Sequence, residues 1–331
     1  MSEVTTRVIK TFDDPAVSAD VWSQLLSEGD TNVGALTWEA QRLWWKYNER
    51  PNGLRLIVAE RNGQPKAIAP LFVENGMAMN LCPVNWLDFV GDVSEREVID
   101  GILQTIKRDL ADFVGLRFYF VPHISRTSEL IQQAANRLNL DYFLEDEQPS
   151  PIIDIRGKHA AALACTKKKT VCRRENLLRR EGTLEIRHFY SSADIMPQLD
   201  EFFQQHMSRW ADTPTPSRFC ESMQRESFRV RTRVLAESGW LRFSRMDWGE
   251  RPIAFHRGTC YQGHYKYGKT AFAPDLTRYS PGTVLLRHLL LAAIEEQAHT
   301  FDFGAGSEDY KYRYATDVIQ LQTWGLYPVA R

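Results

Sequence analysis

An order of elements that runs through the chain twice restricts the fold more than any other feature of the sequence. In the first half, residues 7–12 alternate like a strand, and residues 17–26 and 37–47 carry a helical period. Residues 54–60 and 67–73 are apolar runs joined by RNGQP, whose Asn62-Gly63 pair favours a tight hairpin. A helical pattern over 95–113, a strand over 116–121, a helix over 128–139 and an edge strand over 141–144 follow, and QPSP at 148–151 reads as a linker. The second half gives a strand over 184–189, helices over 195–210 and 219–238, and strands over 240–246, 252–260 and 263–272. A helix over 283–297, a strand over 301–303, a short helix near 309–314 and a strand over 319–326 complete it. A shift of 187 residues places Leu54-Arg55 on Leu241-Arg242, Pro65 on Pro252, Ala67 on Ala254 and Gly76 on Gly263. These identities fall at matching points of the same element order, which indicates an internal duplication. The expected architecture is α/β with segregated α+β character: two domains, 1–147 and 148–331, each a mixed, mostly antiparallel sheet flanked by helices.

With 331 residues, 43% hydrophobic and 25% charged, the chain is long enough for two such cores. A net charge of −1 gives no overall field toward nucleic acid or an anionic membrane. Five cysteines without a CxxC pair fit reduced thiols better than a disulfide framework. The opening MSEVTTRVIKTFDD lacks an apolar core of signal-peptide length, and no run approaches transmembrane length, so the chain reads as cytoplasmic.

Chemistry concentrates between Leu241 and Tyr314. A strand leads through RYSPGTVLLRHLL into a helix, and a helix opening at a small-residue turn offers backbone N–H groups to an anion. Pro281 suits the first helical turn, Gly282 permits close approach to the backbone, and Ser280 or Thr283 can add a hydroxyl. Two readings stand: a phosphate cradle, or an ordinary helix start capped by Ser280. Lys167, Lys168 and Lys169 with Arg173, Arg174, Arg179 and Arg180 form the strongest charge feature, on a helix expected from about Thr166 to Gly182 with Val171, Leu177 and Leu178 facing the core. That face is either merely solvated or binds an anion. His256, Cys260 and His264 flank a strand turn and find no fourth partner, so no metal is expected. The Trp22, Trp44 and Trp45 cluster reads as core.

Taken together, CTKKKTVCRRENLLRREG (165–182), HMSRW (206–210), GERPIAF (249–255), RYSPGTVLL and FDFGAGSEDYKYRYA (301–315) resemble the GNAT acyltransferases. The doubling resembles the Fem-type tandem arrangement, and the chain looks most like the CelD/BcsL-type acetyltransferases of bacterial polysaccharide and envelope biosynthesis. The resemblance implies an N- or O-acyltransferase that uses acetyl-CoA or another acyl-CoA and acts on a sugar, nucleotide-sugar or envelope precursor by direct attack on the thioester. It places the donor's pyrophosphate against Tyr279, Ser280, Gly282, Thr283 and Val284, with Arg278 as charge partner. The turn departs from the glycine-rich GNAT pattern, since only Gly282 is present. Fem-type relatives take an aminoacyl group from transfer RNA, so that donor, and a non-catalytic binding protein, stay as alternatives.

No Ser-His-Asp or Cys-His triad is evident, so proton transfer and oxyanion stabilisation fall to scattered candidates. His264, His256 and Glu308 are candidate bases. Backbone N–H groups near Tyr267 are candidate oxyanion donors, and Tyr310 and Lys311 are expected to position the acceptor or protonate the leaving thiolate. Lys168 and Arg173 are candidates for an anionic acceptor. His206 and Trp210 read either as acceptor contacts or as a stacked pair one helical turn apart. The first half lacks a Ser-Pro-Gly turn at 81–96 and is expected to have lost donor binding. Its Trp86 and Asp88 either wall the acceptor cleft or sit in core.

Overall fold

Hairpins form the backbone of both halves, and the 187-residue offset extends to their ends. In the computed structural model, which describes residues 4–48, 51, 53–82 and 85–329, strands Leu54–Arg61 and Gln64–Glu74 correspond to Leu241–Trp248 and Arg251–Tyr261. Starts and ends are each displaced by 187 (54 to 241, 61 to 248, 64 to 251, 74 to 261). The following turns match as well: Asn75-Gly76 and Gln262-Gly263 both hold two successive residues at positive φ, the backbone of a tight hairpin. Met1 to Glu3 of the opening segment, and Pro83 and Val84 of the 81–96 loop, lie outside the described residues.

The chain separates into two units. Unit 1 contains the residues up to Ser150 together with Ala305–Ser307 and 319–329; unit 2 contains Pro151–Gly304 and Glu308–Val318. A single cut at residue 147 does not describe this division, because the C-terminal strand belongs with unit 1. There Leu321 to Leu326 pair antiparallel with Pro122 to Leu116, with a bulge between Gln322 and Trp324.

Unit 1 comprises β1 (Val4–Ile9), α1 (Ala19–Glu28), α2 (Trp38–Asn48), β2 (Leu54–Arg61), β3 (Gln64–Glu74), β4 (Met77–Asn80), β5 (Val90–Gly91), α3 (Arg96–Asp109), β6 (Gly115–Pro122), α4 (Thr127–Arg137) and the first part of β7 (Leu140–Asp154). Its sheet runs β1-β2-β3-β4-β6 and then the C-terminal strand, antiparallel except for β4 beside β6. Val98, Ile99, Ile102, Leu103 and Ile106 of α3 recur at helical spacing and bury one face of that helix in the core.

Unit 2 takes the end of β7 and continues with α5 (His159–Thr166), α6 (Lys169–Glu181), β8 (Leu184–Phe189), α7 (Ser192–Ile195), α8 (Leu199–Trp210), α9 (Ser222–Glu237), β9 (Leu241–Trp248), β10 (Arg251–Tyr261), β11 (His264–Phe272), α10 (Pro281–Glu295), β12 (Thr300–Asp302), α11 (Asp309–Tyr314) and the start of β13 (Asp317–Pro328). The order is β8-β9-β10-β11-β12 and then β7, with β11 and β12 parallel. This repeats the antiparallel meander and parallel neighbour of unit 1. One core cluster joins α10 to the sheet through Leu285, Leu289 and Tyr265. A second joins α8 and α9 through Phe202, Phe203, Phe228, Phe243 and Phe255.

Two expectations change. The linker at 148–151 is part of β7, a 15-residue strand, as is the segment expected to end at Leu144. Proline lacks the N–H but keeps the carbonyl, and here Pro149 accepts from Gly306 N–H at 2.9 Å and Pro151 from Phe303 N–H at 3.1 Å. The basic helix is divided, with α5 ending at Thr166 and α6 starting at Lys169. The residue after its end is held to glycine by close approach, since a Cβ on Gly182 would lie 2.6 Å from the Trp248 indole nitrogen, which donates to Leu178 C=O at 3.0 Å.

Candidate functional site

The site begins where two strands part. β11 pairs with β12 only from His264 to Lys266, opposite Thr300 to Asp302. Asp302, fully buried, holds this junction: it takes Lys266 Nζ at 2.6 Å, His264 Nε2 at 3.4 Å and Gly304 N–H at 2.7 Å. Burial raises its carboxyl and the Lys266 and His264 charges lower it, leaving it well below the usual range. Past Lys266, β11 continues without β12, and its pairing with β10 slips between Arg257 and Thr259. This bulge opposes Gly258 to Tyr267 and Gly268. Both glycines are required by close approach: a Cβ on Gly268 would lie 2.2 Å from Arg257 C=O, and one on Gly258 would lie 2.5 Å from Lys266 C=O.

A cleft of about 230 Å³ lies along this stretch of β11, bounded by Tyr267, Thr270 and Phe272, the α10 start at Ser280 to Thr283, Arg209 of α8 and Tyr310 of α11. A larger cleft of about 460 Å³ shares Thr283, Leu286 and Tyr310 with it and extends to Lys168, Lys169 and Arg313. Thr283, which follows the Ser-Pro-Gly turn, and the front of the basic helix thus border the same larger cleft. The α6 start has no acidic residue in its first turn, and Lys168 Nζ lies 5.1 Å from the Tyr314 ring centroid.

At the turn, Ser280 adopts the left-handed conformation (φ 52°, ψ 53°) and makes no side-chain cap. Its carbonyl accepts from Thr283 N–H at 3.0 Å and Val284 N–H at 3.1 Å, and Pro281 has no N–H, so Gly282 leads the donors at this end. Tyr279 is fully buried against Trp248 with its hydroxyl on Glu181, which takes its side chain away from the cleft; Arg278 folds over the Tyr279 ring, 4.4 Å from the centroid, beside Glu181. The Arg278 carbonyl accepts from Arg174. Val284 is buried in the core cluster.

Three polar side chains converge in the smaller cleft. Tyr267 stacks on His256 with centroids 4.9 Å apart and planes at 17°. Burial, and then the neighbouring Tyr310, push the Tyr267 hydroxyl well above its ordinary value; burial and Glu308 push Tyr310 up to about 12. Both stay protonated at neutral pH and can donate a hydrogen bond. Arg209 donates to the carbonyl and hydroxyl of Thr270, each at 3.2 Å, and its guanidinium lies 4.2 Å from the Phe272 centroid and 5.1 Å from that of Trp210. Burial lowers the Arg209 guanidinium's affinity for its proton while Tyr267 and Tyr310 raise it, with a net downward shift.

Arg209 was not singled out from sequence. A signal existed: Leu199, Phe202, Phe203 and His206 form the buried stripe of α8, and Arg209 continues it at helical spacing. A charge on an apolar stripe needs a reason to be there.

Other candidates lie elsewhere. His256 is fully buried and its Nε2 accepts from Gly268 N–H at 3.2 Å, so its proton sits on Nδ1; burial and then Arg257 lower it to about 3, which removes it as a base. It fixes the bulge beneath Tyr267. His264 sits in the Asp302 cluster, outside both clefts. Lys311 is 4% exposed and donates to Gly304 C=O at 3.1 Å and to Glu308 at 2.8 Å, which turns it inward from its neighbour Tyr310. Burial raises the Glu308 carboxyl and the Lys311 bond lowers it, with a net decrease that makes Glu308 a weak base. His206 is buried, bonded to Ser217 Oγ at 2.8 Å and stacked 6.1 Å from Trp210; burial, Lys269 and Arg209 lower it to about 4. Arg173 is exposed and outside both clefts. In unit 1, Trp86 is buried, and Asp88 is a buried acceptor for Thr31, Ser125, Thr127 and Phe89 N–H, which makes it part of the core framework. Among the described residues no group of three metal-ligating side chains occurs, and no helix is long and apolar enough to cross a membrane.

With this geometry in place, comparison with known proteins is informative. Residues 166–312 match the family described as acetyltransferase (GNAT) domain. The fold is GNAT-like. Among solved structures the chain is similar to FemX, at 11% identity and TM-score 0.67 over 94% of this chain and 96% of that one. It is also similar to L-PGS from Bacillus licheniformis, at 13% and 0.57 over 97% and 94%. A tandem GNAT protein from the clavulanic acid biosynthesis pathway matches at 11% and 0.50 over 99% and 100%. At such identities the likeness is one of fold. No curated protein matches the sequence.

Proposed function

We propose that the protein is an acyl-CoA-dependent N- or O-acyltransferase, an acetyltransferase of the CelD/BcsL type, acting in the cytoplasm on a sugar, nucleotide-sugar or envelope polysaccharide precursor. The observation that carries this reading is the paired clefts at the parting of β11 from β12, bounded by the α10 start and by Lys168 and Lys169. The donor set suits a CoA: a helix start led by Gly282 N–H, the Ser280 and Thr283 hydroxyls, and the cations Lys168, Lys169 and Arg313 for phosphates. When bound, an acyl-CoA supplies the acyl group as an activated thioester.

The chain's own groups would then act as follows. Tyr267 and Tyr310 hold hydroxyl protons that can be donated to developing negative charge, and Arg209 keeps a fixed positive charge beside them. Phe272, Leu286 and the Tyr267 ring exclude water from this end. With His256 held neutral and Glu308 tied to Lys311, no strong base faces the cleft from these residues. An amine acceptor arriving neutral, or a hydroxyl losing its proton to water, fits that arrangement better than base-driven attack.

A second reading, transfer of an aminoacyl group from transfer RNA, is favoured by Lys168 and Lys169 in the larger cleft with exposed Arg173 and Arg174 on the same helix. Calorimetric titration with acetyl-CoA and with an aminoacyl-transfer RNA separates the two. Micromolar acetyl-CoA binding supports the proposal. Binding of the transfer RNA alone, with none of acetyl-CoA at millimolar concentration, replaces it with the second reading.

A further inference from the structure

Arg242, Arg245 and Arg287, partly buried in unit 2, each meet a carboxylate: Glu296 at 2.7 Å, Asp247 at 2.7 Å and Glu175 at 2.8 Å. Arg209 meets none among the described residues. Both of its hydrogen bonds run from Nη1 to Thr270, and the Nε–Nη2 edge of its fork has no protein acceptor there. The guanidinium is nevertheless held in place, 4.2 Å from the Phe272 centroid and 5.1 Å from that of Trp210. Arg209 lines the smaller cleft, where every other polar side chain is a hydroxyl: Tyr267, Thr270, Thr277, Ser280, Thr283 and Tyr310. No lining side chain is acidic, so the cleft carries one uncompensated positive charge.

Two parallel N–H groups on one planar fork match the two oxygens of a carboxylate, in a contact that fixes orientation as well as charge. The single negative charge of a carboxylate also balances the single cation. A phosphoryl group, with roughly twice that charge, finds its counterpart in the larger cleft, where Lys168, Lys169 and Arg313 stand together. At about 230 Å³ the smaller cleft lies below the ~300–1,000 Å³ of pockets that take whole drug-sized ligands, so it suits a compact acidic group and not a nucleotide. Tyr267 and Tyr310 keep their hydroxyl protons beside it and stay available to developing negative charge.

We infer that the smaller cleft binds a carboxylate of the substrate on the Nε–Nη2 edge of Arg209, which makes Arg209 the residue that selects acidic over neutral substrates. This deepens the acyltransferase reading above and, as a statement about the substrate, rests on it. The carboxylate would come either from an acidic acceptor, such as a uronic acid, or from the far end of a dicarboxylic acyl chain, two sources of one chemistry.

Calorimetry on the full chain compares two pairs of probes that differ by a carboxylate: D-glucuronate with D-glucose in the absence of CoA, and succinyl-CoA with acetyl-CoA. In at least one pair the wild type should bind the acidic member about tenfold more tightly or better. A preference within the sugars assigns the carboxylate to the acceptor, and one within the thioesters assigns it to the acyl chain. Arg209→Gln should abolish the preference while changing acetyl-CoA affinity only a few-fold, with circular dichroism as the control for folding. Arg209→Lys keeps the charge and loses the fork, so it should retain a preference of about threefold at most, and it carries the comparison if the glutamine variant does not fold. No preference in either pair, or an undiminished one in either variant, overturns the inference. Failure of the wild type to bind either thioester counts against the acyl-CoA reading alone, because the sugar pair is read without CoA.

Discussion

Gly282 gives the sharpest perturbation of the donor site, because what a side chain there would touch is known. A Cβ on Gly282 would lie 3.0 Å from Phe272 Cδ1, 3.5 Å from Cε1 and 3.8 Å from Cγ. Carbon atoms settle at ~3.5–4.0 Å, so the contact is tight and the ring must yield by a few tenths of an ångström. The Phe272 ring in turn carries Arg209, 4.2 Å away. For Gly282→Ala the strain sits at the low end of the ~1–3 kcal/mol of overpacking, and a gain of up to about 1 kcal/mol in helix propensity opposes it. Its stability should therefore stay within about 1 kcal/mol of wild type. Gly282→Val adds two branches that the half-buried ring cannot clear by so small a shift. It should lower CoA affinity at least tenfold, or about 1.4 kcal/mol, through displacement of Phe272 and Arg209. Calorimetry on G282A, G282V, F272A and G282V/F272A decides the matter. If the path runs through the ring, F272A recovers most of the affinity in the G282V background while costing a few-fold by itself. A G282V deficit of the same size with and without Phe272 would refute the relay and leave direct obstruction of the backbone as the cause.

Two further outcomes follow from the same side chains. Arg209→Met, which keeps the stem and removes the charge, should reduce the rate of acyl transfer, or of CoA release monitored by free thiol, by about 10²-fold with CoA affinity changed only a few-fold; an equal loss in both would make Arg209 a binding residue only. Acid should destabilise the fold from about pH 6.5 downward. His206, held at about 4, and His256, held at about 3, refuse protons that the unfolded chain accepts, so stability rises with pH across that window. His206→Gln should flatten the slope between pH 6.5 and 4 by ~1–3 kcal/mol in urea titrations, and an unchanged slope would show that the shift is not expressed.

Legibility from sequence followed the range of the interactions. The hairpins could be placed because Asn62-Gly63 and Gln262-Gly263 dictate their own backbone, and the 187-residue repeat carried those local signals into both units. The Ser-Pro-Gly turn was placed at a helix start for the same reason. What escaped was long-range. QPSP looked like a linker because proline interrupts local pattern, yet the carbonyls of Pro149 and Pro151 bond to residues more than 150 positions away. Lys311 and Tyr310 are adjacent in sequence, but a short helix turns one inward to Gly304 and the other to the clefts, a distinction that periodicity over six residues cannot resolve. Arg209 was passed over in favour of His206 and Trp210, although all three lie on one turn, because which member of the turn reaches β11 depends on how α8 packs on the sheet.

The glycine-poor turn and the lysine-rich helix are best understood together. A phosphate cradle made of backbone N–H groups needs several aligned donors, and this turn directs Thr283 and Val284 to Ser280 C=O. Lys168 and Lys169 enter the space that Thr283 and Leu286 also border, so side-chain charge stands where a richer turn would have offered amides. The exchange has a measurable consequence, because exposed point charges are screened by salt and fixed N–H groups much less so. With a Debye length of about 10 Å at 0.1 M salt and about 3 Å at 1 M, CoA affinity should fall roughly tenfold between 0.05 and 0.5 M sodium chloride. Lys168→Gln with Lys169→Gln should lower affinity at low salt and remove most of that dependence. The sequence-based expectation, in which the basic helix serves the acceptor alone, requires the opposite: CoA binding indifferent both to salt and to these two substitutions. Such a result would detach the larger cleft from the donor and return Lys168 and Lys169 to an anionic acceptor or to transfer RNA.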